Sequence, residues 1–300
     1  TDTTVKATGA LSVEATSGNT ITANIAAIAA GVSASGDKAG AVTIGGTFAM
    51  NSIGLATLAT IDGDGIGATP GIQAASAKVS AQDVSAVTVQ ALSASLALAA
   101  AANNAVSISV GGSIALNTIA NDVSASVKNV DRGLQTVDAI LVSAKSAGSI
   151  TARAASAAIA VAGSGSNAVP ISAAVTYARN VITTSTRAQA GESRLVTTGA
   201  NGTVSVTAEA SATIDAAILA ASLAAGVGGS NAVAVGIGAA IAENRIGLWS
   251  KSGSDSNTSY TLANNGGTVV EASLTRVGVD AKGALSVEAT SKNQIKAAIA

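Results

Sequence analysis

The sequence predicts an all-β chain, a right-handed parallel β-solenoid assembled from modules of about 64 residues. Three observations predict it: repetition at two length scales, period-two alternation of residue types, and a hydrophobic content almost free of aromatics.

Repetition carries most weight, because a fixed period changes the whole architecture. The segment Gly9-Ala-Leu-Ser-Val-Glu-Ala-Thr-Ser17 recurs unchanged as Gly283 to Ser291, an offset of 274 residues. The similarity runs on through Asn19/Asn293, Ile21/Ile295, Ala23/Ala297 and Ile25/Ile299. A shorter repeat lies inside the longer one. Phe48-Ala-Met-Asn51-Ser-Ile53 matches segments ending at Ile119, Ile182 and Ile246, which places Asn51, Asn117, Asn180 and Asn244 66, 63 and 64 residues apart. Asn-Ala-Val precedes three of these segments, at Asn104–Val106, Asn167–Val169 and Asn231–Val233. The expected organisation is one continuous solenoid over 1–300. Its modules are 5–78, 79–141, 142–200 and 201–276, with 277–300 opening the next long repeat.

Within modules the period is two. Leu11, Val13 and Ala15 alternate with Ser12 and Glu14, and Val123, Ala125 and Val127 with Ser124, Ser126 and Lys128. Val106, Ile108 and Val110 alternate with Ser107 and Ser109, and Val204 and Val206 with Ser205 and Thr207. That is the signature of strands with one buried face. Turn clusters separate them, among them Ser35-Gly-Asp-Lys38, Gly163-Ser-Gly-Ser166 and Gly226-Val-Gly-Gly-Ser230. Three coils of about 21 residues per module would make about 14 coils and a rod about 65 Å long.

The only aromatics are Phe48, Tyr177, Trp249 and Tyr260, so the interior must be regular and aliphatic. Charged residues make up 11% of the chain and the net charge is −1, so no basic field exists to hold nucleic acid. The chain has no cysteine and no histidine, which excludes disulfides, thiolate or imidazole metal sites and histidine-based catalysis. Thr1 to Gly9 lack the regions of a signal peptide, so the chain is expected to start inside a longer protein.

Two segments compete with this reading. Ala94–Ala102 and Ala216–Ala225 have high helix propensity. The run Ala216–Ala242 is uncharged and long enough for a spanning helix, but Gly226, Gly228, Gly229, Ser230 and Asn231 interrupt it. No membrane insertion is expected.

Among the repeated positions, Phe48, Ile114, Tyr177 and Ile241 form a bulky column expected to fill the core. Asn51, Asn117, Asn180 and Asn244 are expected at corners, bonded to neighbouring main chain. In Asp62-Gly-Asp-Gly65 the carboxylates of Asp62 and Asp64 resemble part of a calcium site, although Asp-Gly is also ordinary turn chemistry. No other cofactor is expected. A Ser-Lys dyad is opposed by the turn or outer-face positions of the lysines, and no paired carboxylates point to glycoside chemistry. The chain is not expected to be an enzyme.

The pattern Asn-Ala-Val, a bulky residue, Ala-x-Asn-x-Ile and then Val-x-Ala is best kept in 104–127 and 231–246. It resembles the repeats of giant bacterial surface proteins such as filamentous-haemagglutinin-like adhesins and leukotoxin-like filamentous proteins. The resemblance implies export to the bacterial surface, a parallel β-helix stalk and a role in attachment through domains outside the stalk. It transfers no binding residue. The expected partners are neighbouring repeats of the same chain and, at Val233–Ile241, laterally packed copies approaching through an outward Ala/Gly face. Two further functions are a self-assembling fibre or sheath and a polysaccharide-binding β-helix using Trp249 and Tyr260, which lie in an insertion.

Overall fold

The computed structural model describes residues 4–65, 69–247, 249–252, 259–262 and 269–300, with no side chains described over 248–268. Among the described residues every regular element is a strand. The alanine-rich segments are strands too: Ala94–Ala102 falls largely within Ala86–Ala101, and Ala216–Ala225 lies within Thr213–Gly228. Helix propensity yields here to tertiary pairing, since each strand is hydrogen-bonded along its length to the coils beside it.

Three parallel sheets build the molecule. The short sheet stacks Leu11–Ser17, Ala77–Asp83, Ile140–Ser146, Val204–Ala210 and Leu285–Ser291. The middle sheet stacks Thr20–Ser35, Ala86–Ala101, Ser149–Ser164, Thr213–Gly228 and Gln294–Ile299. The long sheet contains Lys38–Asp62 and Asn104–Lys128. Its next coil is split into Asn167–Ile182 and Ser185–Thr197, and the last into Asn231–Ala232, Val235–Ile246 and Val270–Asp280. The chain runs through short, middle and long sheets in turn and then starts again, which makes it a parallel β-solenoid.

One coil takes a whole module. Asn51 lies beside Asn117, Asn117 beside Asn180 and Asn180 beside Asn244, so successive coils are 66, 63 and 64 residues apart. This overturns the expectation of three coils of about 21 residues per module. The 274-residue offset is four coil steps and advances the solenoid by about 20 Å rather than 65 Å. A strand of 25 residues is up to about 80 Å long, so the body is a broad slab rather than a thin rod. Period alone does not decide coil size; long strands with few turns and short strands with many turns share it. Three of the expected module boundaries, after residues 78, 141 and 276, cut through strands, because a helix of coils has no privileged starting point.

Two of the hydrophobic clusters behave as the alternation predicts. In one, the short sheet packs on the far half of the long sheet through Val79, Val142 and Val206 against Val123, Val127, Leu134 and Leu195. Val13, Val79, Val142, Val206 and Val287 stack in register over five coils, a column that suits stiff β-branched side chains. In the second, Ile53, Ile119 and Ile182 pack on Val87, Ile150 and Ile214. The third cluster, towards the turn joining middle and long sheets, consists of alanines alone, including Ala41, Ala97, Ala105, Ala162 and Ala168.

Where the long strand bends, Gly63, Asn129, Glu192 and Arg276 all take positive φ, at 82°, 54°, 47° and 54°. They occupy the same place in successive coils, next to the paired Asp62, Lys128, Gly191 and Thr275. The fourth coil is longer by an insertion whose backbone forms an antiparallel hairpin, Trp249–Ser252 with Ser259–Leu262.

Candidate functional site

Phe48, Ile114, Tyr177 and Ile241 stack in register, but on the outside of the long sheet. Phe48 is 58% exposed, Ile114 39% and Ile241 55%, so the column does not fill the core as expected. The Tyr177 hydroxyl donates to Glu243 Oε2 at 2.8 Å, and partial burial followed by this bond pushes the phenol above its ordinary range. The residues that follow the column, Ala49, Ala115 and Ala178, are the ones that face inward.

The asparagine column also departs from expectation. Asn51, Asn117, Asn180 and Asn244 sit within strands, not at corners, and face inward. Each side-chain amide donates to the next: Asn51 Nδ2 to Asn117 Oδ1, Asn117 Nδ2 to Asn180 Oδ1 and Asn180 Nδ2 to Asn244 Oδ1, all at 2.8 Å. A ladder of primary amides 4.8 Å apart satisfies donors and acceptors without water, which makes it a register lock rather than a ligand site. A second ladder, Asn231 to Asn167 to Asn104, marks the turn between middle and long sheets.

Around these columns the slab is inverted. Ser107, Ser109 and Ser113 are fully buried while Val106 is 40% exposed, the reverse of what the alternation suggests. Glycine explains the inversion. A Cβ on Gly45 would lie 2.7 Å from the Ala94 carbonyl oxygen, and one on Gly111 2.7 Å from that of Ala157. The two sheets approach so closely that only Gly, Ala, Ser, Thr and one proline, Pro170, stand between them, and the large side chains of the same strands turn outward. Hydroxyls cross the narrow gap: Ser95 to Ser109 at 2.6 Å, Ser156 to Thr176 at 2.8 Å, and Ser113 to the Ala91 carbonyl at 2.7 Å. The Gly/Ala side of Val233–Ile241 likewise faces in, with Gly238 against Ala220, so the outward face there is Val233, Val235, Ile237 and Ile241, not Ala/Gly.

A buried polar cluster sits where the two halves meet. Asn121 Nδ2 donates to Asp83 Oδ2 at 2.6 Å and to Ser85 Oγ at 2.9 Å, Ser85 donates to Asp83 Oδ1, and the Leu55 amide donates to Asn121 Oδ1. Every group in it has a protein partner.

Asp62 and Asp64 point to different partners. Asp62 Oδ1 accepts from Asn129 Nδ2 at 2.6 Å in the next coil, and the buried Asp64 Oδ2 accepts from the Gly133 amide at 3.1 Å. Arg132 donates to the Asp64 main-chain carbonyl at 2.7 Å. Gly63 and Gly65 take positive φ between and beside them, as turn chemistry requires. Among the described residues no cluster of three or more acidic side chains forms a cation cage. Residues 66–68 of this loop, and the side chains of Trp249 and Tyr260, lie outside the described residues.

The outer face of the other half is charged, and pairs form from coil to coil: Lys78–Glu14 at 2.8 Å, Lys145–Glu209 at 3.2 Å and Arg187–Asp122 at 3.3 Å. Lys78 and Lys145, weighed as dyad lysines, are therefore engaged by carboxylates. Arg153 holds Asp215 at 2.9 Å, and its hydrogen bond keeps the Asp215 carboxyl below the ordinary carboxylate range.

Among the described residues the arrangement offers surfaces repeated from coil to coil. Its largest unassigned features are the two apolar outer faces, which alternation with serine concealed in the sequence. Set against known proteins, the chain matches no family model, no curated sequence and no solved structure.

Proposed function

We propose that the chain is a structural segment of a long repetitive bacterial surface protein of the adhesin type, a stacking scaffold that spaces and stiffens rather than catalyses. One observation carries this reading. The identical segments Leu11–Ser17 and Leu285–Ser291 occupy equivalent places four coils apart, the first beneath Ala77–Asp83 and the second above Val204–Ala210. A further 274-residue unit can therefore start on the last coil with the geometry already present in the first.

Coil-to-coil hydrogen bonding along strands of up to 25 residues makes such a body wide and stiff. Its advance of about 20 Å per long repeat supplies breadth more than reach. Each repeat would also display one hairpin, Trp249–Ser252 with Ser259–Leu262, at regular intervals along one edge.

Electron microscopy of chains carrying one, two and three tandem 274-residue units tests the reading. The expected result is one blade of constant width that grows by about 20 Å per unit. Separate globules joined by linkers, or a particle whose width grows instead, would overturn it.

A further inference from the structure

The half of each coil next to the turn between middle and long sheets reverses the usual polarity. On the middle sheet its outward residues are Ala26, Ile28, Ala30, Val32 and Ala34 in one coil and Leu92, Ala94, Leu96, Leu98 and Ala100 in the next. The two coils above continue with alanine, isoleucine, valine, leucine and glycine only. On the long sheet the outward series Val106, Ile108, Val110, Gly112 and Ile114 is equally apolar. The open ends of the stack do not cause this exposure. In the inner coils Leu92, Ile159, Ile171 and Val175 remain 45%, 37%, 38% and 48% exposed.

The two apolar bands end at the same level. Contacts across the gap, Ser95 with Ser109 and Ser156 with Thr176, fix which residues stand opposite one another. At the tip both bands stop at polar turns, Gly36-Asp37-Lys38, Asn103-Asn104 and Ser166-Asn167. At the base the middle sheet presents Asn24, Gln90, Arg153 and Ala217, and the long sheet Met50, Leu116, Arg179 and Glu243, next to the column of Phe48, Ile114, Tyr177 and Ile241. The lower border is therefore polar in three coils of the first sheet and two of the second. A band of nine residues is about 30 Å long, the thickness of bilayer hydrocarbon. Apolar-out and hydroxyl-in strands of this length are what a bilayer demands of β-structure.

We propose that this half of the slab enters a lipid bilayer as a blade, its two aliphatic faces in hydrocarbon, its hydroxyl-lined seam inside and its polar tip at the far interface. A second copy of the chain would need one such face; an apolar belt on both faces, closed at the tip by polar turns, fits a lipid slab. Backbone groups within the band are paired coil to coil, and in hydrocarbon the two terminal strands would need further coils or copies stacked on them. The proposal reverses the expectation of no membrane insertion, which weighed a helix over Ala216–Ala242 and not the strands found there.

The chain has no native cysteine, so single environment-sensitive fluorophores can be placed at Ile159→Cys on the middle sheet, Val175→Cys on the long sheet and Ser143→Cys in the charged half. Each labelled protein, as the single chain and as a tandem duplication, is mixed with phosphatidylcholine vesicles carrying bromine at mid-acyl depth. The expected result is a blue shift and several-fold quenching at 159 and 175, none at 143, and loss of quenching at both when Leu98→Gln and Leu223→Gln are added with the β-sheet circular dichroism unchanged. Labels at 159 and 175 that stay in water with both chain forms would overturn the proposal. Labels that become shielded without vesicles, in step with dimers seen by sedimentation, would overturn it in favour of a second copy. Quenching on one face only would also overturn it.

Discussion

Asn117 and Asn180 stand one coil apart with both side chains buried, and the amide of the first donates to the carbonyl of the second at 2.8 Å. The bond is repeated above and below, so removing one asparagine orphans a donor on one neighbour and an acceptor on the other.

Asn117→Ala is therefore expected to destabilise the fold by about 2–6 kcal/mol, since each of the two buried orphans costs about 1–3 kcal/mol. Asn51→Ala, at the end of the ladder, orphans only the Asn117 carbonyl and should cost less than half as much. Urea unfolding of the two variants checks the order; equal losses would mean that the ladder does not act as a chain.

Neighbouring glycines should respond in opposite ways. A side chain on Gly111 meets the Ala157 carbonyl, while one on Gly112 meets nothing within 4 Å. Gly111→Val is expected to cost about 2 kcal/mol or more by forcing the sheets apart. Gly112→Val should be neutral or stabilising by up to about 1 kcal/mol, because it replaces glycine in a half-buried, outward-facing strand position with a strong β-former. Thermal melts of the pair provide the comparison, and a large loss at Gly112 would contradict the assigned inward face.

At the bend, Glu192 holds a left-handed backbone that costs a non-glycine residue about 1–2 kcal/mol. Its exposed pair with Arg276 returns about 0–1 kcal/mol. Glu192→Gly should then leave stability unchanged or raise it by up to about 1 kcal/mol, as read by denaturant midpoint. A clear loss would show that the pair outweighs the strain.

Acid should weaken the surface ion pairs, two of them between coils and one within a coil. Hydrogen bonds from Arg153, Lys78 and Lys282 hold Asp215, Glu14 and Asp280 below their ordinary values. A carboxyl whose folded value is depressed adds stability above its unfolded value, and that addition disappears as pH falls through the folded value. Stability should thus decline from about pH 4.5 downward, through and below the ordinary carboxylate range. Arg153→Gln should flatten the Asp215 part of this decline; denaturation midpoints measured across that window would test it, and an unchanged acid limb would count against the pair.

Much of the architecture is legible in the sequence, for physical reasons tied to particular residues. The offsets among Asn51, Asn117, Asn180 and Asn244 are the coil register itself, because in-register stacking requires each coil to present like residues to the next. Alternation about Val13, Val79 and Val206 marks the inward face correctly, since a charged or hydroxylated partner such as Glu14, Ser80 or Thr207 is better solvated outside. The turn chemistry of Asp62–Gly65 and the irregularity of the fourth module were also visible without coordinates.

Two things were decided only by tertiary structure. Coil size was one, because a 64-residue period is the same for one wide coil as for three narrow ones, and only the pairing of Thr20–Ser35 with Ala86–Ala101 shows that the strands are long. The other was which side of Val106–Val110 faces inward. Alternation separates two faces but does not orient them. The gap between sheets does, and where Gly45 and Gly111 bring backbone against backbone, serine is small enough to be enclosed and valine is not.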